Sequence, residues 1–172
     1  KNTKLITMLC LGALIACSPS KKGLERTSEQ VSPRERLIEN LRATPQKGIM
    51  FGHHDDTVYG IGWEFDEGGS DVQKVCGDYP AVISFDLGEI ELGGDKSLDK
   101  VPFEKIRKEI INQYNRGGLV SLSWHPRNPK TGGDAWDVSD HAVVKSILPE
   151  GENYEKFQSW LGKVNDFILS LK

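Results

Sequence analysis

LVSLSWHPRNP, Leu119 to Pro129, is the stretch that decides how this chain reads. Its first five residues form a short, nearly continuous apolar run, the pattern of a parallel strand covered on both faces. An indole, Trp124, and an imidazole, His125, come next without a break, and a proline-rich loop then takes over. Aromatic and imidazole groups at the end of a buried strand are either packing or the floor of a binding site.

Two further runs repeat the pattern. GIMFG (48–52) and AVISF (81–85) precede LVSLS (119–123), with starts at 48, 81 and 119 that lie 33 and then 38 residues apart. That is the spacing of successive β-α units. Between the last two runs, Phe103, Ile106, Ile110 and Tyr114 recur at helical spacing, and Gly117-Gly118 closes the helix. A short helix is expected over Asp71 to Cys76, and a long one carrying Tyr154, Phe157, Leu161, Val164, Ile168 and Leu171 as its stripe. At the other end, Ser32, Pro33 and Glu35 form a capping box ahead of Leu37, Ile38 and Leu41. Three β-α units make an α/β fold. An open sheet of three strands would leave two unprotected edges, so the expectation is the N-terminal portion of a (β/α)8 barrel, a fold that takes eight strands and about 250 residues.

Composition bounds the function. With 172 residues, 37% hydrophobic and 27% charged, there is material for one core, and a formal charge of -3 with no basic patch gives no reason to expect a nucleic-acid partner. The beginning of the chain has a different character. Lys1 and Lys4 precede the apolar run Leu5 to Ala16, which is too short to span a bilayer and has the order of a secretory signal. Leu14-Ile15-Ala16-Cys17 resembles the lipobox of bacterial lipoproteins. The expected organisation is a signal peptide over 1–16, a lipidated Cys17 with a polar tether over 17–31, and a partial barrel domain over 32–172. Such a protein would be anchored in a Gram-negative membrane, the outer membrane facing the periplasm, with surface exposure left open. Cleavage would remove Cys10, so Cys76 alone remains and no disulfide framework is expected.

The segment after each strand is rich in chemistry. The first run leads into His53, His54, Asp55 and Asp56, with Tyr59 and Trp63 soon after; the second into Asp86, Glu89 and Glu91. The third leads into Trp124, His125, Arg127 and Asn128, with Asp134, Trp136 and Asp137 in the loop beyond. The opposite ends, TPQKG, GDYP and YNRGG, are turns with no concentration of catalytic types. Parallel α/β proteins bind ligands beyond the C-terminal strand ends, and packing alone does not sort polar and aromatic groups to one end. Each group also has a structural reading. His53 and His54 are neighbours on a strand and point to opposite sides, which suits a single metal poorly; with Asp55 and Asp56 they leave a metal-dependent hydrolase as a third alternative. Asp86, Glu89 and Glu91 can cap a helix or form ion pairs, and His125 can be a core histidine with its bonds satisfied. No metal and no cofactor is assigned.

Acidic, imidazole and indole groups around one mouth suit a carbohydrate, whose C-H faces stack on aromatic rings and whose hydroxyls bond to carboxylates, His and Asn. GIMFGHHDDTVYGIGW, YPAVISFDLGEIEL and GGLVSLSWHPRNPKTGGDAWD are similar to the first three strand regions of glycoside hydrolase family 26, with SWHPRNP the most specific part. The resemblance covers roughly 35–172. It implies a (β/α)8 barrel and retaining hydrolysis of β-1,4-mannosidic linkages in mannan, galactomannan or glucomannan by two glutamates at the ends of strands four and seven. It also implies that His125 shapes the subsite at the cleavage point and that Trp136 stacks in a neighbouring one, with Trp124, His54 and Asp55 as further substrate-binding candidates. No catalytic carboxylate is carried over onto this chain, which by itself is therefore expected to be inactive and not to fold as a stable monomer. β-Mannan or its oligosaccharides would be the partner, together with the membrane through the lipid. The alternative from another class is a non-catalytic glycan-binding lipoprotein.

Overall fold

The computed structural model describes residues 31–172. The expected signal peptide, Cys17 and the tether through residue 30 lie outside the described residues. The chain divides into two units between Pro45 and Gln46. In the first, helix α1 (Pro33–Ala43) begins at the expected capping box: the Glu35 N–H donates to Ser32 Oγ at 3.2 Å, and the Ser32 N–H donates to Glu35 Oε2 at 3.1 Å.

The second unit holds strand β1 (Gly52–His54), the hairpin strands β2 (Tyr59–Gly60) and β3 (Trp63–Glu64), helix α2 (Asp71–Cys76), strand β4 (Val82–Asp86), helix α3 (Phe103–Asn115), strand β5 (Leu119–Ser123), and helices α4 (Val143–Ser146) and α5 (Tyr154–Leu169). The three strands expected from the sequence make one parallel sheet in the order β1-β4-β5. Val82 stands beside Gly52 on one side and Leu119 on the other, and the register ends with Asp86 beside Ser123. Successive strands of the sequence are therefore neighbours, each pair joined through a helix.

The expectation of burial on both faces is met in part, and by the central strand alone of the three: one face of β4, Ile83 and Phe85, is buried, and on the other Val82 and Ser84 are half-buried while Asp86 is buried. Ile83 and Phe85 are fully buried, and they form the core with Leu87, Val58, Phe103, Ile106, Ile110 and Phe167. The first run is displaced from its expected position: β1 occupies 52–54 rather than 48–52, and Ile49 and Phe51 are exposed. Pairing decides this: among the described residues β1 pairs with β4 alone, and the paired register begins where Gly52 meets Val82.

The helices show two smaller differences. Tyr114, expected on the apolar face of α3, is exposed, and the buried residue of the last turn is Gln113. Its amide Nε2 donates to the Pro80 carbonyl at 3.0 Å and lies 3.4 and 3.5 Å from the carbonyls of Ala81 and Leu119, so it ties together the starts of β4 and β5. On α5, Trp160 and Phe167 are buried while Leu161 and Ile168 are 39% and 45% exposed. Both stripes share the 3.6-residue period; the larger aromatic area decides between them. Phe167 meets Phe103 edge-on with ring centroids 6.2 Å apart.

Candidate functional site

The parallel register builds the centre of the site. Asp86, the last residue of β4, is buried beside Ser123, the last of β5. The Ser123 hydroxyl donates to Asp86 Oδ2 at 2.8 Å, the Gly88 N–H donates to Oδ1, and the His125 Nδ1 meets Oδ2. Burial pushes the Asp86 carboxyl up, but the donors from Ser123, Gly88 and His125 together outweigh it and hold the group below its ordinary value. An ionised Asp86 can only accept, so His125 carries a hydrogen on Nδ1, and Nε2 is the ring nitrogen left for a ligand.

Trp136 completes a platform. Its indole stacks on the His125 ring, with centroids 5.8 Å apart and planes 4° from parallel, and it remains 70% exposed. The loop beneath is ordered from within. Buried Asn128 accepts from the N–H groups of Lys130 and Thr131 at 3.0 and 3.1 Å and donates to the Asp137 carbonyl at 3.1 Å. The Trp136 N–H donates to Asp134 Oδ1 at 2.9 Å. A tryptophan that could have folded back onto an apolar surface stacks instead on the imidazole, with much of its surface wet.

At the end of β1 the four residues of HHDD go separate ways. His53 Nδ1 lies 2.7 Å from the His54 carbonyl. Asp56 turns toward α2, where it accepts from the Ser70 hydroxyl and, at 3.2 Å, from the Val72 N–H. Asp55 is buried with a left-handed backbone (φ 55°), a conformation Asp tolerates better than most residues. Its Oδ2 lies 3.2 Å from His54 Nε2 and 3.4 Å from the Tyr59 hydroxyl, and its buried Oδ1 has no hydrogen-bond partner among the described residues. Burial raises this carboxyl to about 6; the nearby Asp99 and Asp86 add to the rise, against the pull of His54 and the Tyr59 bond. Burial, then the charge of Asp55, pushes the Tyr59 phenol to about 12. Among the described residues no group of three His, Cys, Asp or Glu is placed to hold a metal ion.

Glu89 and Glu91 serve the loop after β5. Glu89, itself at φ 70°, pairs with Arg127 at 2.7 Å. Glu91 is buried in the 3-10 turn Ile90–Leu92 and accepts from the Trp124 Nε1–H at 2.9 Å and from the Arg127 N–H at 2.7 Å. Trp124 therefore faces inward, stacked on Phe157 at 5.7 Å.

The structure thus brings His125 and Trp136 together directly and sets His54 with Asp55 at the neighbouring strand end, close enough for Asp55 to feel Asp86. Trp124 forms the inner wall of a pocket of about 240 Å3 that His125, Arg127, Asn128, Asp134 and Asp137 also line. A larger cavity, about 630 Å3, is lined by Lys130, Ser146 and Glu152 among others and includes none of the strand-end groups. Sequence reasoning missed Ser123 and Gly88. Aligning VISFD (82–86) with LVSLS (119–123) would have paired Asp86 with Ser123. Gly88 carries a spatial signal only: a Cβ there would collide with Leu98 Cδ2 and come within 3.1 Å of the His125 carbonyl.

Comparison with known proteins gives a consistent result. The model of glycosyl hydrolase family 26 matches residues 27–172. A family 26 β-mannanase structure from Bacteroides ovatus is 63% identical, with a TM-score of 0.78, over 79% of this chain and 40% of that one. The catalytic domain of a Bacillus sp. JAMB-750 endo-β-1,4-mannanase is 28% identical, with a TM-score of 0.66, over 79% of this chain and 37% of the other. A mannan endo-1,4-β-mannosidase of Bifidobacterium adolescentis is 30% identical over 132 residues, 74% of this chain and 13% of that protein. The three β-α units therefore correspond to part of a (β/α)8 barrel, and the chain spans well under half the length of each of these relatives.

Proposed function

The chain belongs to glycosyl hydrolase family 26, and on that premise we propose that the protein carrying it cleaves β-1,4-mannosidic linkages with retention, and that this chain supplies part of the sugar-binding surface. The observation that carries the reading is the His125–Trp136 platform at the C-terminal end of β5. Trp136 offers an open indole face to the C-H surface of a mannose ring. His125, held by Asp86, offers Nε2 to a hydroxyl of the sugar at the cleavage point. His54 and Asp55 bind a hydroxyl of the adjoining unit, and Trp124 walls the pocket from within. Retaining cleavage needs an acid and a nucleophile about 5 to 5.5 Å apart. Neither Glu89 nor Glu91 takes those roles, because one is paired with Arg127 and the other is buried under two N–H donors. Residues 18–172 expressed alone should release no reducing sugar from β-mannan; release would show that a carboxylate pair within this chain performs the cleavage.

The test of the whole reading is hydrolysis of β-mannan and mannooligosaccharides by the purified full-length protein, with retention followed by NMR of the released anomer. Tight oligosaccharide binding without release would favour the non-catalytic glycan-binding reading. We also propose anchoring through lipid on Cys17, which the tetrapeptide Leu14–Cys17 supports. Multiple acyl chains hold a protein firmly where a single one binds reversibly. Cys17→Ala should move the protein from the membrane to the soluble fraction, and continued membrane association would remove the lipobox reading.

A further inference from the structure

Glu91 is a buried carboxylate among the described residues that the proposed chemistry leaves unused. Its two oxygens accept from two donors that lie on either side of His125 in sequence: the indole N–H of Trp124 and the backbone N–H of Arg127. The turn that carries it is itself fixed, since Lys163 on α5 donates its ammonium to the Glu91 carbonyl at 2.5 Å. Trp124 is held a second time, by stacking on Phe157 of the same helix.

We propose that Glu91 is a positioning residue for the sugar platform, acting by bracketing His125. In the extended chain leaving β5, adjacent side chains point to opposite sides. Fixing Trp124 on one side therefore turns His125 to the other, where it meets Asp86 and Trp136. The bond to the Arg127 N–H fixes the chain again two residues later, so the imidazole is held at both flanks by one carboxylate. A carboxylate suits this task because it accepts at both oxygens, whereas a carboxamide accepts at one end and donates from the other. The Glu89–Arg127 pair guards the outer side of the same loop, but it is partly exposed and correspondingly weak. The inference rests on the proposed role of His125 and Trp136 as a sugar platform.

The test uses the full-length protein and three variants: Glu91→Gln, Trp124→Phe, and both together. In Glu91→Gln an amide N–H2 must face either the indole or the Arg127 N–H. The His125 ring protons, displaced in the NMR spectrum by the parallel Trp136 indole, should move toward the positions seen in Trp136→Ala, and kcat/KM on mannooligosaccharide should fall roughly tenfold to a hundredfold. Trp124→Phe removes the indole N–H and keeps a ring against Phe157. Adding Glu91→Gln to it should then cost clearly less than in the wild type, since the amide can face the vacated side. A folded Glu91→Gln protein with unchanged His125 resonances and unchanged kcat/KM, whatever its melting temperature, would overturn the proposal. If Glu91→Gln does not fold, Trp124→Phe decides by the same resonances: a shifted His125 supports the bracket and an unshifted one overturns it. The NMR arm needs no substrate, so a wild type inert toward mannan would sink the functional reading while leaving the positioning of His125 to be judged on its own.

Discussion

The two ends of the parallel sheet use the same resource differently. At the N-terminal end, buried Gln113 has both ends of its carboxamide satisfied: Nε2 donates to the Pro80 carbonyl, and Oε1 accepts from Arg116 Nη2 at 3.0 Å. Arg116 in turn covers the Tyr79 ring at 4.1 Å. At the C-terminal end, buried Asp55 has one oxygen without a partner, a left-handed backbone and a carboxyl raised to about 6, while Trp136 stands in solvent. A buried polar group whose bonds are complete holds a scaffold. One whose bonds are incomplete is destabilising by itself, so packing alone does not account for it. Barrel enzymes divide stability and function between the two strand ends in this way.

That division can be broken experimentally in the full-length protein. The largest effect should come from the scaffold end: Gln113→Ala removes a buried side chain together with its bonds and should lower unfolding free energy by about 3 kcal/mol. Denaturant melts measure this, and oligosaccharide affinity of the folded fraction should be unchanged. If affinity falls as well, the two ends are coupled and the contrast fails.

At the other end, His125→Ala should change stability by less than about 1 kcal/mol, since its side chain is half exposed. It should lower kcat roughly tenfold to a hundredfold, because a group beside the reacting sugar acts mainly in the transition state. Trp136→Ala should lose about 1 kcal/mol of stacking, read as a severalfold rise in KM with kcat nearly unchanged. Steady-state kinetics separates the two, and equal, negligible effects would remove both residues from the site.

The smallest effect sharpens the comparison within the C-terminal end. Asp55 is raised from 3.8 to about 6, so between those values the folded protein holds a proton that the unfolded chain has released. Its contribution is fully present below the lower value, is lost as pH rises toward 6, and is flat above. Asp86, held low, has the opposite sign and loses its contribution only on acidification below the ordinary carboxylate range. Stability measured from about pH 4 to 6 should slope downward, and Asp55→Asn should flatten that slope. A slope that survives the substitution belongs to another group.

The sequence on its own carried the β-α order, the helix over Asp71–Cys76, the capping box at Ser32 and the clustering of His, Asp and Trp at one end of the strands. These are set by local chemistry and by periodicity, which are properties of neighbouring residues. It carried His125 and Trp136 as separate candidates, through a motif and an odd tryptophan in a polar loop. Their stacking was decided in three dimensions, as was the choice of Trp160 and Phe167 over Leu161 and Ile168 on α5, where two stripes of equal period compete and the larger aromatic side chains take the inside. The carboxylates show the limit most clearly. Asp55, Asp86, Glu89 and Glu91 are the same chemical group in the sequence. Parallel register, placing β4 beside β5, made Asp86 the partner of His125, Glu91 the clamp on Trp124 and Arg127, and Glu89 an ion pair. Asp55, buried at the end of β1, keeps one oxygen without a hydrogen-bond partner among the described residues. Partners of this kind lie more than thirty residues apart in the chain, and their distances exist only once the strands have paired.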